Sequence, residues 1–229
     1  MDFIRNNLWI VAVAIILIVL LRTVIRYKKL LNAVNRMNVI LYVDKNIDGY
    51  IEECDKMINS MKGDRNRDLN LLQKSTGLFF AGRFEEAIDI LQNQLKQIPP
   101  NGQGLYYQNL ILSKYFEGNV DEGHKVFEDT KEILETYRKA QSIGENIEFI
   151  YAVDDLYCGE FSEREEYFND MGENGRNTYR QALGYYCLGV LYKKQEKLDE
   201  MKEAFDKAIE TGKNSFMEKN SLKELESMK

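Results

Sequence analysis

DLNLLQKSTGLFFAGRFEEAIDILQNQLKQIPPN, residues 68–101, holds two runs of helical period on either side of a glycine. Leu71 and Leu78 stand seven apart in the first run, and Phe84, Ala87 and Leu91 recur at three- and four-residue steps in the second. That spacing predicts two helices. Gly82 is placed to turn the chain between them, and Pro99-Pro100 stops the second. The same signature recurs outward from here. A turn residue is followed by an apolar residue two later and another nine later: Gly82, Phe84, Leu91; Gly118, Val120, Phe127; Gly159, Phe161, Phe168. A fourth copy, Glu196, Leu198, Phe205, lacks the glycine. The intervals are 36, 41 and 37 residues. A period of this size marks a solenoid of helix pairs, an architecture used far more for binding proteins than for chemistry.

Composition agrees. The 229 residues contain two prolines, and 44% are apolar, enough for a packed helical core. Charge is uneven. Residues 1–29 hold five basic groups and one acid, leaving 26 basic and 36 acidic residues for the remainder, a net of −10. That balance repels phosphate backbones and argues against nucleic-acid binding. Cys54, Cys158 and Cys187 include no Cys-x-x-Cys pair. The spacing therefore offers neither a disulfide framework nor a zinc site, and it fits a reducing compartment.

The repeated unit resembles the tetratricopeptide repeat (TPR). In that family position 4 is large and apolar, 8 small, 11 aromatic, 15 glycine, 17 and 24 apolar, 20 and 27 small, and 32 often proline. Leu71, Ser75, Leu78, Gly82, Phe84, Leu91, Ala87 and Pro99 fit, and Gln94 does not. The copy from Ala182 to Ser215 matches through Tyr185, Gly189, Tyr192, Leu198, Phe205 and Ala208, and departs at Glu196 and Met201. The middle copies are weaker: Ile111 is bulky at a small position, and Arg164 replaces the usual alanine. Leu41, Ile47, Cys54 and Met57 place a further, degenerate unit before them. The expected fold is all-α: a helix-turn-helix solenoid of four to five repeats preceded by one transmembrane helix. The expected divisions are an anchor with its basic flank at 1–29, a linking helix pair at 30–67, the solenoid at 68–215 and a capping helix at 216–229. Another α-helical hairpin array is the competing architecture.

The resemblance implies a concave groove lined by the first helix of each pair. Carried over, the groove residues are Leu72, Phe79, Phe80, Leu105, Leu112, Tyr115, Phe116, Phe149, Tyr157 and Tyr186. Exposed aromatics of this kind bind an extended peptide or an amphipathic helix. The plainer reading is that several of them pack against a neighbouring helix. The clamp for chaperone C-terminal carboxylates is not expected, since Leu72 and Thr76 stand where it needs Lys and Asn.

Leu8–Leu21 is fourteen apolar residues, and eighteen residues through Ile25 include only Arg22 as an ionisable group. That length spans a bilayer. Trp9 and Tyr27 fall where interfacial anchors sit. No small-x-small cleavage site follows, so a retained span is expected rather than a signal peptide. Four basic residues between Arg22 and Lys29 place that flank, and the domain after it, in the cytoplasm of a single-pass cell-membrane protein with its N-terminus outside.

Two further readings remain. Residues 44–55, DKNIDGYIEECD, resemble an EF-hand loop with Asp44, Asn46, Asp48 and Asp55 as Ca²⁺ candidates. Asp55 is short for the bidentate position, and a polar turn between helices explains the segment more simply. Catalysis is not expected. His124 is the single histidine, and no nucleophile elbow, phosphate loop or dinucleotide motif occurs. No cofactor or small-molecule substrate is implied. The expected role is a membrane-anchored scaffold or adaptor that binds a protein partner. The alternatives are an assembly or structural subunit acting through its span, and a Ca²⁺-responsive adaptor.

Overall fold

The computed structural model describes residues 8–60, 63–140 and 143–228. Every regular element among them is helical. Helix α1 (Leu8–Asn38) loosens into a π-helical turn at Val39–Val43 and is followed by α2 (Ile47–Ser60). Four helix pairs come next: α3 (Asp64–Ala81) with α4 (Phe84–Asp89), α5 (Gln103–Glu117) with α6 (Val120–Arg138), α7 (Gly144–Cys158) with α8 (Glu165–Asn174), and α9 (Thr178–Lys194) with α10 (Leu198–Thr211). Helix α11 (Phe216–Glu226) ends the described chain. Successive helices pack on one another from α2 to α7 and from α8 to α11, as in a helical-repeat array, and the short turn at Phe161–Arg164 packs against both α7 and α8.

The turns explain the glycines. At Gly82 φ is +77° and at Gly118 it is +98°, values open to glycine at little cost. The Gly82 N–H donates to Phe79 O and the Arg83 N–H to Leu78 O, at 3.0 and 2.9 Å. These bonds satisfy carbonyls that the end of α3 leaves free. Gly159 behaves differently: its φ of −123° and ψ of −147° are extended, and a short 3-10 turn, Phe161–Arg164, precedes α8. Arg164, out of place for an alanine position, is held there by Asp155 at 2.6 Å and Glu148 at 2.9 Å. In the first pair α4 widens into a π-helical turn at Ile90–Gln94, and Leu95 is extended. The mismatched Gln94 therefore marks the place where the helix stops. The buried Asp68 carboxylate accepts from the Gln97 N–H at 3.2 Å and ties down the chain beyond it.

One apolar core runs continuously from Met37 to Met217. It also joins the two ends of the array. The Tyr42 ring meets Phe80 and Tyr179 edge-on, at 6.4 and 6.2 Å. Lys45 Nζ donates to Thr211 O at 3.0 Å, and Asn214 Nδ2 to Lys45 O at 3.1 Å. An open solenoid would leave these ends apart, so the array curls far enough to close on itself.

Among the described residues no helix is long and apolar enough to cross a membrane. Of the expected span, the side chains of Leu8, Trp9 and Val11 lie outside the described set, as do those of Arg26 and Lys29 in the flank, and residues 1–7 altogether.

Candidate functional site

The surface that the repeats were expected to offer as a groove is occupied by the chain itself. Leu72, Phe79, Phe80, Leu112, Tyr115, Phe116, Phe149 and Tyr186 are all buried, and Leu105 and Tyr157 are half-buried. The expectation of ten exposed groove residues is corrected accordingly. For Phe79, Phe116 and Tyr186 the reason is Phe216, the first residue of α11, which is 2% exposed. Its ring lies 5.4 Å from Phe79, 5.1 Å from Phe84, 5.2 Å from Phe116 and 5.7 Å from Tyr186, mostly edge-on or tilted. Such pairs contribute beyond their buried area. Met217 is buried beside it. A helix expected to cover only the last repeat thus reaches the first pair through Phe79 and Phe84.

The remaining expected groove residues go elsewhere. Phe80 lies under Tyr42 and Tyr179. Leu72 and Leu105 belong to a small separate cluster with Leu91 and Leu110, between the first and second pairs. Phe149 faces Phe168 within the third pair. Tyr115 stacks on Tyr157 at 5.4 Å and 15°. Helical spacing alone could not separate these locations, because every one of them demands a large apolar side chain. Nor did any local signal single out Phe216, whose partners lie 30 to 137 residues away in sequence.

The outer part of α11 is held more lightly. Leu222 is 43% exposed. Glu224 pairs with Lys193, and Asn220 Nδ2 reaches Tyr186 Oη at 3.5 Å. Burial among these rings pushes the Tyr186 hydroxyl up to about 12.

The calcium reading is also corrected. Ile47–Ser60 is helix, so Asp48 and Asp55 lie along one helix instead of curling around an ion. Asn46 Oδ1 accepts from the Gly49 N–H at 2.9 Å, as a helix N-cap does. Asp55 is paired with Lys74 Nζ at 2.7 Å. The letters Asp-x-Asn-x-Asp-Gly here spell a capped turn, and Lys45 carries the left-handed φ of 52°.

A polar group sits at the seam of α6 and α7. Tyr115 donates to the buried Asp154 Oδ1, which also lies 2.8 Å from His124 Nδ1. Cys158 is close by and exposed. Burial, and then the bond to Asp154, push the Tyr115 hydroxyl well up from its ordinary value, and burial raises the Cys158 thiol. The sequence isolated His124 but gave no sign of its partners, which are 30 and 34 positions away.

A family model, the SusR N-terminal TPR domain, matches residues 49–228. No curated protein and no solved structure gives a significant match.

Proposed function

We propose, on the premise that this chain belongs to the family of SusR N-terminal TPR domains, that it works as a non-catalytic protein scaffold tethered to the membrane by α1. TPR domains are protein-interaction modules, and the fold described above is one. The more specific reading is that its concave face receives an amphipathic helix of a protein partner in exchange for α11. The observation that carries it is the seating of Phe216 among Phe79, Phe84, Phe116 and Tyr186. The face already takes a short helix by apolar anchors, which is the helix-in-groove mode of recognition.

The tether is supported by α1 itself. Ile15 to Leu21 are seven consecutive apolar residues, each between 51% and 61% exposed. A helix that is apolar on every side needs cover, from a protein core or a bilayer. The basic residues from Arg22 to Lys29 favour a cytosolic position for the array. Confinement to the membrane plane would raise the effective concentration of a membrane-borne partner.

Fractionation and affinity capture test both parts. Full chain, residues 30–229 and Phe216→Ala are compared, with circular dichroism reporting whether each is folded. The full chain should pellet with membranes and residues 30–229 should not. Phe216→Ala removes the anchor of α11, worth about 3–5 kcal/mol for a buried Phe, and should capture more partner. Unchanged capture would make α11 a plain cap. Capture that requires α1 would move the function into the membrane, as for a structural subunit.

A further inference from the structure

We propose that His124, Asp154 and Cys158 form a site for a divalent transition metal of the zinc class, bridging α6 and α7. Their ligand atoms all lie within 4.8 Å of one another. Asp154 and Cys158 are four residues apart on α7 and so share one face of that helix. His124 comes from the facing helix α6. Imidazole, thiolate and carboxylate are the three side-chain ligand types of protein zinc sites, and a set containing sulfur selects against Mg²⁺ and Ca²⁺. Ligands around a tetrahedral zinc stand about 3.5 Å apart. His124 Nδ1 and Asp154 Oδ1, 2.8 Å apart, must therefore part slightly and the Cys158 sulfur must close in, within reach of side-chain rotation for an exposed Cys158 and a His124 whose side chain is 44% exposed.

Two observations around the triad favour a cation there. Asp154 is buried, and among the described residues it lies within ion-pair distance of His124 and of no Lys or Arg. A buried carboxylate gains from a cation beside it, and a metal would supply one. Tyr115 donates to Asp154 Oδ1 and is itself fixed by burial and by stacking on Tyr157. That is the arrangement by which an outer residue orients a metal-binding carboxylate. Three protein ligands leave a fourth position for water or for a group supplied by a partner. The bound metal would clasp the second helix pair to the third.

The test uses the full chain in mild detergent, reduced and stripped with chelator, titrated with Co²⁺. A thiolate-to-cobalt charge-transfer band should appear, saturate at one metal per chain and bleach when Zn²⁺ is added. Cys54 and Cys187 are buried, so Cys158→Ser should abolish the band. His124→Gln and Asp154→Asn should each weaken binding by at least tenfold, and Tyr115→Phe by about 10- to 100-fold through loss of orientation. Circular dichroism of Cys158→Ser, an exposed position, checks that the fold is intact. No saturable band, a band that survives Cys158→Ser, or affinity untouched by both His124→Gln and Asp154→Asn would overturn the proposal.

Discussion

At Glu196 the backbone takes a φ of 60°, a left-handed conformation that costs an L-residue roughly 1–2 kcal/mol. The surrounding hydrogen bonds hold it there. Glu196 N–H donates to Lys193 O at 3.2 Å and Lys197 N–H to Tyr192 O at 3.0 Å, the same two bonds that Gly82 and Arg83 make after α3. The fourth copy has lost the glycine and kept the turn. Glu196→Gly should therefore stabilise the protein by about 0.5–1 kcal/mol, the strain relieved being partly offset by a freer unfolded chain. A rise in thermal midpoint checks this; no rise would mean that the Glu196 side chain contributes elsewhere. The turn position was legible from the repeat spacing, and the strain was not, because φ depends on the hydrogen bonds that close the turn.

Helices α8 and α9 pass close to one another at Gly184. A Cβ built on Gly184 would lie 2.5 Å from Gly172 N, 2.9 Å from Met171 C and 2.9 Å from Phe168 O. All three are backbone atoms, so the helices themselves would have to part. Gly184→Ala should cost about 2–3 kcal/mol, at the upper end for overpacking. The urea midpoint should fall with an unchanged slope. Gly189 is a useful contrast. Its Cβ would meet the Phe205 ring at 2.5 Å, and a ring can shift where a backbone cannot, so Gly189→Ala should cost less. A reversed order would show that this core yields more readily along the backbone than at the ring. Small residues at repeat positions, such as Gly189, could be read from the sequence. Gly184 lies outside that pattern, since it is set by the crossing of two neighbouring pairs.

At the scale of the whole molecule, packing of the array buries tyrosines whose ionisation it must then oppose. Burial pushes Tyr186 up to about 12, and Tyr50 and Tyr157 well above 10.0. These phenols stay protonated in the fold and ionise near 10.0 once unfolded. Above that pH the native state holds more protons than the unfolded one, so stability falls as pH rises. The contribution is complete below pH 10.0 and declines by about 1.4 kcal/mol per pH unit for each such tyrosine, for Tyr186 up to about pH 12. Urea unfolding from neutral pH to about 11 should follow that fall, with phenolate absorbance rising together with unfolding. Phenolate appearing in the folded protein would show that these rings are open to water.

The all-α class, the period of the hairpins and the positions of their turns follow from the sequence alone, because helical periodicity and turn preference are local properties of ten or so residues. The occupant of the concave face does not follow from it. A large apolar residue at helical spacing is satisfied equally by a neighbouring helix or by a ligand, and the choice depends on curvature summed over four pairs. That curvature carries Phe216 to Phe79 and Tyr42 to Tyr179. The same packing sets His124 against Asp154 and Cys158, three residues with unremarkable spacing that become a chemical group only when two repeats meet.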